Sequence, residues 1–559
     1  MEALGHAIRS FAVVKVAESP RLTILADETG DEAHRTQLCT LYKIVLMDSY
    51  EATVVYAGLD HLLRGTAKMI YGSIKYRAEH CDGIDLVKKW AFSCYDTCTT
   101  MFGCEGGTAT LQVIDFPRSI ANKCLNHKKQ LALKHALQSE QFMVKHYLPN
   151  MKCAGNVTKA SDKRHVMRDE VSELMGFKER IAALKPPVCT RWDTWWKAAR
   201  ALGETPKIYA AQCKTLIRAG QGGNQDDFLL DAGAGDPTCL GLANQFMRPE
   251  HAAVTTAMLD YMPCLTQQGK LLEAESLSYE ESRQVIQNIC DYTKKLSDDF
   301  KGRAPRGSKW RAFVKEVESH GVKFKRTPGR DDAWIDRLLQ RLADAIHEQH
   351  VRHLEDVEEL AAECRLFDFV GAPEVLATSA ELKAHYDPVL EVIFKQHCDG
   401  DGPSLDRDAL EREFYAFIPI YLSDARQHNA KALKGLQDAE RDRVSKHNTL
   451  VREHNAMPAN DTTQLALIEL VLPQRLTVVQ MLQHALGSPV VIADRFTSVR
   501  WLMYNHIVAA RSQARVEATF SKLKKIVTRF RMLLSQEHTD MLLYICCNGP
   551  NSPFGRAAK

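Results

Sequence analysis

Two acidic residues directly follow short apolar segments, a position from which carboxylates can act together. Leu22-Thr-Ile-Leu-Ala26 ends in Asp27, and the segment 87–95 ends in Asp96. A third acid, Glu517, is the single acidic residue within a basic, amphipathic segment near the end of the sequence. Carboxylate oxygens are the hard ligands that divalent cations prefer, and a pair of such ions can activate and stabilise the oxygens of a phosphodiester exchange. These residue types therefore suggest metal-dependent chemistry on nucleic acid.

The elements that would position these acids alternate between strand and helix patterns over the first 140 residues. Strands are predicted at 22–26, 38–46, 52–59 and 87–95, helices at 66–79 and 109–122, and a last short strand and helix from Cys124 onward. The order β-β-β-α-β-α-β-α predicts a mixed sheet flanked by helices. Its first and fourth strands carry the two acids at their ends, where open α/β sheets usually place functional groups.

The rest of the sequence has mainly helical patterns. Amphipathic helical spacing dominates from about Glu170 to Gln480, apart from a polar, glycine-rich break at 219–237. The last 80 residues are helical again, and Ser535 is a predicted N-cap. We expect an N-terminal segment over 1–20, the first part of an α/β core over 21–169, a helical domain over 170–485, and the remainder of the core over 486–559.

Composition limits the classes of protein that this chain can be. A length of 559 residues predicts two or three domains, and the 45% hydrophobic and 26% charged content is typical of globular proteins. The net charge of +3 means that a nucleic-acid surface must be a local patch. The sequence predicts neither a signal peptide nor a membrane span. Sixteen cysteines in such a chain are expected to be free thiols in a reducing compartment, the cytosol or the nucleus.

Five segments, in order along the chain, resemble sequence blocks of the hAT family of DNA transposases. Asp27-Glu-Thr-Gly-Asp31 resembles the pattern D-E-[ST]-T-D, and Cys94 to Gly103 resembles Y-D-G-A-x-N-M-x-G. Cys124-Leu-Asn-His127 is similar to a C-x-x-H block, and Cys189 to Trp196 to the block T-R-W-N-S-x-Y. Val516 to Arg529, continued by Leu534 to Leu543, is similar to the C-terminal dimerisation segment with its S-E-R-x-F-S start and leucine-rich helix.

The resemblance implies cut-and-paste DNA transposition on an RNase H-like core interrupted by a large helical insertion domain. Asp27 and Asp96 would come from the sheet and Glu517 from the helix after the insertion, and together they would bind Mg²⁺ or Mn²⁺. The implied partners are DNA and further copies of the chain, which would form a homodimer or larger oligomer through the C-terminal helices. The implied location is the nucleus.

The same blocks supply candidate DNA contacts and structural residues. Basic side chains would hold the phosphates, and an aromatic side chain would stack on an unstacked base. The residues in these positions are Arg191, Trp192, Lys522, Lys524, Lys525 and Arg529. Cys124 and His127 are assigned a structural role; a packing or hydrogen-bonding role is favoured for them over a zinc site because a second ligand pair is not evident.

The sequence also departs from the family pattern. Gly30 replaces the usual Thr, Thr97 and Thr100 replace Gly and Asn, and Val516 and Ala518 flank Glu517 in place of Ser and Arg. Nothing before Asp27 has Cys and His at zinc-ligand spacing, although the family usually begins with a zinc finger. An alternative function is therefore a domesticated, non-catalytic nuclear protein that dimerises and binds DNA or protein partners.

Simpler interpretations remain for several of these residues. Asp27 and Asp96 could be turn residues at strand ends, and Trp192 could fill a junction between domains rather than stack on a base. His347, His350 and His353 have the spacing of one helical face, but the charged residues among them favour a solvated surface over a metal site.

Overall fold

The computed structural model describes most of the chain. The described ranges are 2–30, 36–104, 106–159, 162–179, 181–187, 193–221, 236–272, 279–300, 305–354, 358–369, 372–373, 377–399, 405–455, 477–488, 494–526, 535–550 and residue 552. The fold is mixed α/β and 71% helical, with a five-stranded sheet near the N-terminus followed by many helices. The chain divides into two compact units, which are described separately below.

The first unit comprises residues 1–124, 275–282 and 356–559. Its strands are β1 (Leu22–Gly30), β2 (Thr36–Val45), β3 (Ala52–Leu62), β4 (Trp90–Tyr95) and β5 (Ile120–Lys123). The helices that precede or interrupt the strands are α1 (Glu2–Glu18), α2 (Ala67–Tyr76) with a π-helical continuation (Arg77–Cys81), α3 (Leu86–Lys89), α4 (Thr99–Phe102) and α5 (Thr108–Asp115).

The second unit, residues 125–274 and 283–355, consists of helices and connecting segments, with no strand in its described part. It contains α6 (Leu125–Ser139), a π-helical turn (Met143–Tyr147), α7 (Leu148–Lys159), α8 (Asp162–Leu174), α9 (Asp193–Gly203), α10 (Pro206–Gln221), α11 (Pro237–Phe246) and α12 (Pro249–Leu272). It continues with most of α13 (Tyr279–Phe300), then α14 (Pro305–Ser319) and α15 (Asp332–His353).

The chain then completes the first unit with further helices. These are α16 (Glu358–Arg365), α17 (Ser379–His397), α18 (Arg407–Asn455), α19 (Val478–Gly487), a 3₁₀ turn (Asp494–Phe496), α20 (Thr497–Val508), α21 (Ala514–Ile526) and α22 (Gln536–Asn548). None of the helices within the described ranges is both long enough and apolar enough to cross a bilayer.

The strands lie in the order β3-β2-β1-β4-β5. β1, β2 and β3 are antiparallel neighbours, whereas β4 pairs in parallel with β1 and β5 pairs in parallel with β4. Successive side chains of a strand point to opposite faces, so β1 divides its residues between two cores. Ile24 and Ala26 pack with α1 and α2, while Leu25 packs with α21 and α22.

The edge strand β3 is bound by the last described helix, α22. A bulge leaves Ala57 outside the pairing with β2. Asn548 of α22 bonds both backbone groups of Tyr56, accepting from its N–H at 2.9 Å and donating to its carbonyl at 2.8 Å. Asp540 Oδ1 accepts from the Leu59 N–H at 2.9 Å. Helix α22 thus satisfies edge backbone groups that would otherwise face solvent or another strand.

The prediction of a mixed sheet in the N-terminal part, followed by many helices, is confirmed at this coarse level, whereas several element boundaries were wrong. Helix α1 was not predicted at all. The predicted strand at 87–95 begins as the short helix α3 and becomes a strand only at Trp90. The predicted helix at 109–122 ends at Asp115, and the following residues form β5. Cysteines within the described ranges are free thiols, as expected.

Candidate functional site

Asp27 and Asp96 lie just beyond the same end of the ladder that joins the parallel strands β1 and β4. The prediction that β1 ends before Asp27 was wrong, because β1 continues to Gly30 along β2. The ladder between β1 and β4 pairs Leu25 with Cys94. Asp27 is therefore two residues beyond one member of the last pair, and Asp96 is two residues beyond the other. Both side chains are partly exposed. The strand pairing brings the two acids together although they are distant in sequence.

Helix α21 approaches the same strand ends and carries Glu517. The side-chain amide of Gln513, just before α21, donates to the carbonyl of Ala26 at 2.6 Å and to that of Cys94 at 2.8 Å. The backbone carbonyl of Gln513 accepts from the backbone N–H of Glu517 at 3.2 Å. Glu517 is partly exposed and lies one helical turn from the point where α21 meets β1 and β4.

Each aspartate also has a local hydrogen bond to the backbone N–H of the residue that follows it. Asp27 Oδ1 accepts from the backbone N–H of Glu28 at 2.9 Å. Asp96 Oδ1 accepts from the backbone N–H of Thr97 and, at 3.3 Å, from its hydroxyl. Asp96 directly follows β4, where a turn role is possible, whereas Asp27 lies within β1 and pairs with Cys39 of β2 rather than standing in a turn.

Glu28 is an additional acid at this end of the sheet that sequence analysis did not select. Burial raises the pKa of its carboxyl, and the negative charge of Asp96 raises it further. Its Oε2 atom is buried without a hydrogen-bond partner, and a Cβ added at Gly65 would lie 2.5 Å from it. Glu28 follows Asp27 directly, so a search for paired acids at strand ends would have found it. Glu28 therefore lies close enough to Asp96 for the two carboxyl groups to interact electrostatically.

The carboxylates suit a divalent cation in chemistry, but their side chains are not gathered around one point. Carboxylate oxygens are hard ligands of the kind that Mg²⁺ and Mn²⁺ prefer. A bound cation would also offset the electrostatic repulsion between Glu28 and Asp96. Within the described ranges, no group of three or more His, Cys, Asp or Glu side chains is placed to hold a metal ion. Binding would therefore require side-chain rotation that brings the carboxylates closer together.

The predicted DNA contacts are only partly within the described residues. Lys524 and Lys525 are exposed on α21. The ammonium group of Lys522 instead donates to the carbonyl of Cys546 at 3.1 Å and approaches Cys547 Sγ at 3.6 Å, so it joins α21 to α22. Arg191, Trp192 and Arg529 lie outside the described residues.

Lys123 is a basic residue at this sheet end that sequence analysis missed. It ends β5 and pairs with Tyr95, the residue before Asp96. Its side chain is exposed, and its Nζ lies 5.2 Å from the ring centroid of Phe102, which is itself partly exposed. A cation beside an aromatic ring offers contacts to both a phosphate and a base. The incorrect helix prediction over 109–122 concealed this strand-end position.

Cys124 and His127 fall in different compact units. Cys124 is fully buried; its N–H donates to the Tyr95 carbonyl at 2.9 Å, and its Sγ accepts from the Gln513 N–H at 3.4 Å. It packs beneath the candidate site with Leu25, Val516 and other apolar residues. His127 is a partly buried residue of α6.

The three histidines of α15 do not form one surface. His350 is fully buried, and its Nδ1 lies 2.6 Å from the Ile346 carbonyl. His347 contacts the Thr293 hydroxyl at 3.2 Å, and His353 contacts His135 at 2.9 Å. The shared helical face suggested by their spacing therefore splits between the protein interior and two other helices.

Comparisons with models of known protein families and with curated proteins find no match to this chain.

Proposed function

We propose that this protein is a hAT-like transposase, or a relic of one, whose sheet is an RNase H-like core. The main support is the arrangement at one end of the sheet. The parallel register of β1 and β4 sets Asp27 beside Asp96, and Gln513 attaches the start of α21, and hence Glu517, to the same two strand ends. These contacts link residues more than 400 positions apart in the sequence at one end of the β1–β4 ladder, which supports the proposal.

In this proposal Asp27, Asp96 and Glu517 hold Mg²⁺ or Mn²⁺ and the chain acts on DNA in the nucleus. The bound ions would supply Lewis-acid stabilisation of the phosphodiester oxygens during strand cleavage and transfer. The exposed Lys524 and Lys525, together with Lys123, would bind the backbone phosphates. Their positive charge would offset repulsion between the acidic sheet end and DNA.

The test is metal-dependent DNA cleavage by the purified full chain. Supercoiled plasmid and end-labelled duplex are incubated with Mg²⁺, Mn²⁺ or EDTA. We expect cleavage only with metal, and loss of cleavage in Asp96→Asn. The matched control is Asp48→Asn, a change at an exposed aspartate between β2 and β3. Equal cleavage by Asp96→Asn and the unmodified protein would refute the proposed catalytic role of the sheet end.

A second candidate is a non-catalytic descendant that keeps the fold and binds DNA or protein partners. The observation in its favour is that the described acidic side chains are not gathered into a metal-binding group. This candidate predicts DNA retention in an electrophoretic shift assay without cleavage under any metal condition. The cleavage assay therefore separates the two functions.

Self-association through the C-terminal helices remains a proposal. In the structure, Val516, Leu523 and Leu543 are already buried against the chain's own sheet. Leu542 and Ile545 are only partly buried, and the exposed parts of α21 and α22 are what a second copy would contact.

A further inference from the structure

Gln513 makes contacts to three elements of the candidate site although it carries no charge. Its side chain is fully buried. The two N–H bonds of its amide group reach two different strands, the Ala26 carbonyl of β1 at 2.6 Å and the Cys94 carbonyl of β4 at 2.8 Å. Its backbone N–H points to Cys124 Sγ at 3.4 Å, beyond the end of β5.

The amide takes the place of the next rung of the β1–β4 ladder. Leu25 and Cys94 are the last paired residues of these strands. At this end of the ladder the carbonyls of Ala26 and Cys94 accept from the amide, and a buried carbonyl without a partner is costly. A planar amide with two donors satisfies both carbonyls and ties β1 to β4 where their ladder stops. The candidate ligands Asp27 and Asp96 lie just beyond this point.

The same residue begins the helix that carries the third acid. The backbone carbonyl of Gln513 accepts from the backbone N–H of Val516 at 2.8 Å and from that of Glu517 at 3.2 Å. These two bonds close the first turn of α21. Residues four apart lie on one helical face, so Glu517 and Gln513 share a face. One side chain therefore sets the separation of β1 from β4 and the approach of α21 to both.

We infer that Gln513 is a positioning residue of the carboxylate site. It touches neither metal nor DNA; it sets the relative positions of the backbone segments that carry Asp27, Asp96 and Glu517. This inference rests on the proposed function, because it matters only if those acids bind a divalent cation. Changes to groups that orient metal ligands typically weaken metal affinity by about 10- to 100-fold, and that range is expected here.

The test measures Mn²⁺ affinity of the full chain by electron paramagnetic resonance, which is independent of DNA cleavage. Gln513→Met removes both donors at similar volume, and Gln513→Asn keeps the amide but shortens its reach by one methylene. The matched control is Asn548→Leu, which removes another buried amide that bonds two backbone groups, those of Tyr56 on β3. Circular dichroism selects a temperature at which every variant measured is folded.

We expect both Gln513 variants to bind Mn²⁺ about 10- to 100-fold more weakly, and Asn548→Leu to bind within about twofold of the unmodified protein. If Gln513→Met fails to fold, Gln513→Asn carries the test. Unchanged affinity in a folded Gln513 variant, or an equal loss in Asn548→Leu, would overturn the inference while the proposed function stands. Mn²⁺ binding that is absent, or unaffected by Asp96→Asn, would overturn both.

Discussion

A methyl group added at Gly58 should disrupt a buried ion pair, whereas the same change at Gly72 should stabilise the protein. Gly58 lies on β3 beneath the Arg77 side chain, which donates to Asp60 Oδ2 at 2.8 Å and to the Ala57 carbonyl at 3.0 Å. A Cβ at Gly58 would lie 2.7 Å from Arg77 Nη2 and closer still to Nη1 and Cζ. The guanidinium group would have to leave its partners.

The magnitude follows from the exposure of the pair. Breaking a buried ion pair typically costs about 3–5 kcal/mol, but the Asp60 side chain is 24% exposed and keeps its bond from the Ser73 hydroxyl. We therefore expect Gly58→Ala to lower the free energy of unfolding by about 2–4 kcal/mol. A Cβ at Gly72, on the exposed face of α2, meets nothing within 4 Å. Gly72→Ala should stabilise by about 0.5–1 kcal/mol.

The assay combines urea unfolding with hydrogen exchange of the peptide that covers β3. The two compact units need not unfold in one transition, so exchange in β3 reports on the sheet directly. Gly58→Ala should speed exchange in β3, and Gly72→Ala should leave it unchanged or slower. The reasoning would be refuted if the free energies of unfolding of the two variants differed by less than about 0.5 kcal/mol, the usual range for surface changes.

Three further predictions follow from other parts of the structure. Lys123→Ala should weaken DNA binding and lower by about one the slope of the logarithm of the binding constant against the logarithm of salt concentration. Lys88→Ala, before the opposite end of β4, should leave that slope unchanged. Equal slopes in the two variants would exclude Lys123 as a phosphate contact. Burial lowers the pKa of His251 to about 3 and that of His350 to about 4, so their stabilising contribution is complete above about pH 6.5 and is lost as pH falls through the folded-state values. Below about pH 6.5 each buried histidine should lower the free energy of unfolding by up to about 1.4 kcal/mol per pH unit until its folded-state pKa is reached. Urea unfolding measured from pH 7 to 5 should show a free energy that depends less steeply on pH in His251→Phe than in the unmodified protein. An unchanged slope would contradict this. Light scattering at micromolar concentration should give a dimer mass if the C-terminal helices associate, and a monomer mass would exclude that association at this concentration.

The strand pattern was predictable because it depends on local alternation and on turn residues. The apolar run before Asp27 and the one before Asp96 indicate strands without reference to the rest of the chain. Helix α1 escaped prediction because its buried residues, among them Ile8, Ala12 and Val16, are interspersed with exposed apolar residues such as Leu4 and Val14. Its apolar pattern therefore identifies no single buried face.

The role of Gln513 could not be predicted because its partners are distant in sequence. Its amide acceptors, Ala26 and Cys94, are 487 and 419 residues away. A glutamine between Ser512 and Ala514 has no local feature that distinguishes it from a solvated residue. Burial of a polar side chain, together with the two strand carbonyls it satisfies, becomes visible only in three dimensions. Single-sequence patterns identify charged candidates more readily than the neutral groups that orient them.

The bonds between α22 and β3 have a consequence for synthesis of the chain on the ribosome. Tyr56 and the asparagine that bonds its backbone, Asn548, are 492 residues apart. At about 5–20 residues per second, the interval between their translation is about 25–100 s. Throughout that interval the edge of β3 lacks its covering helix, long after a hairpin of β2 and β3 could form in about 1–10 μs. A nascent chain of this protein therefore presents the edge of β3 without its covering helix during most of its translation, and an exposed strand edge is a template for pairing with another chain.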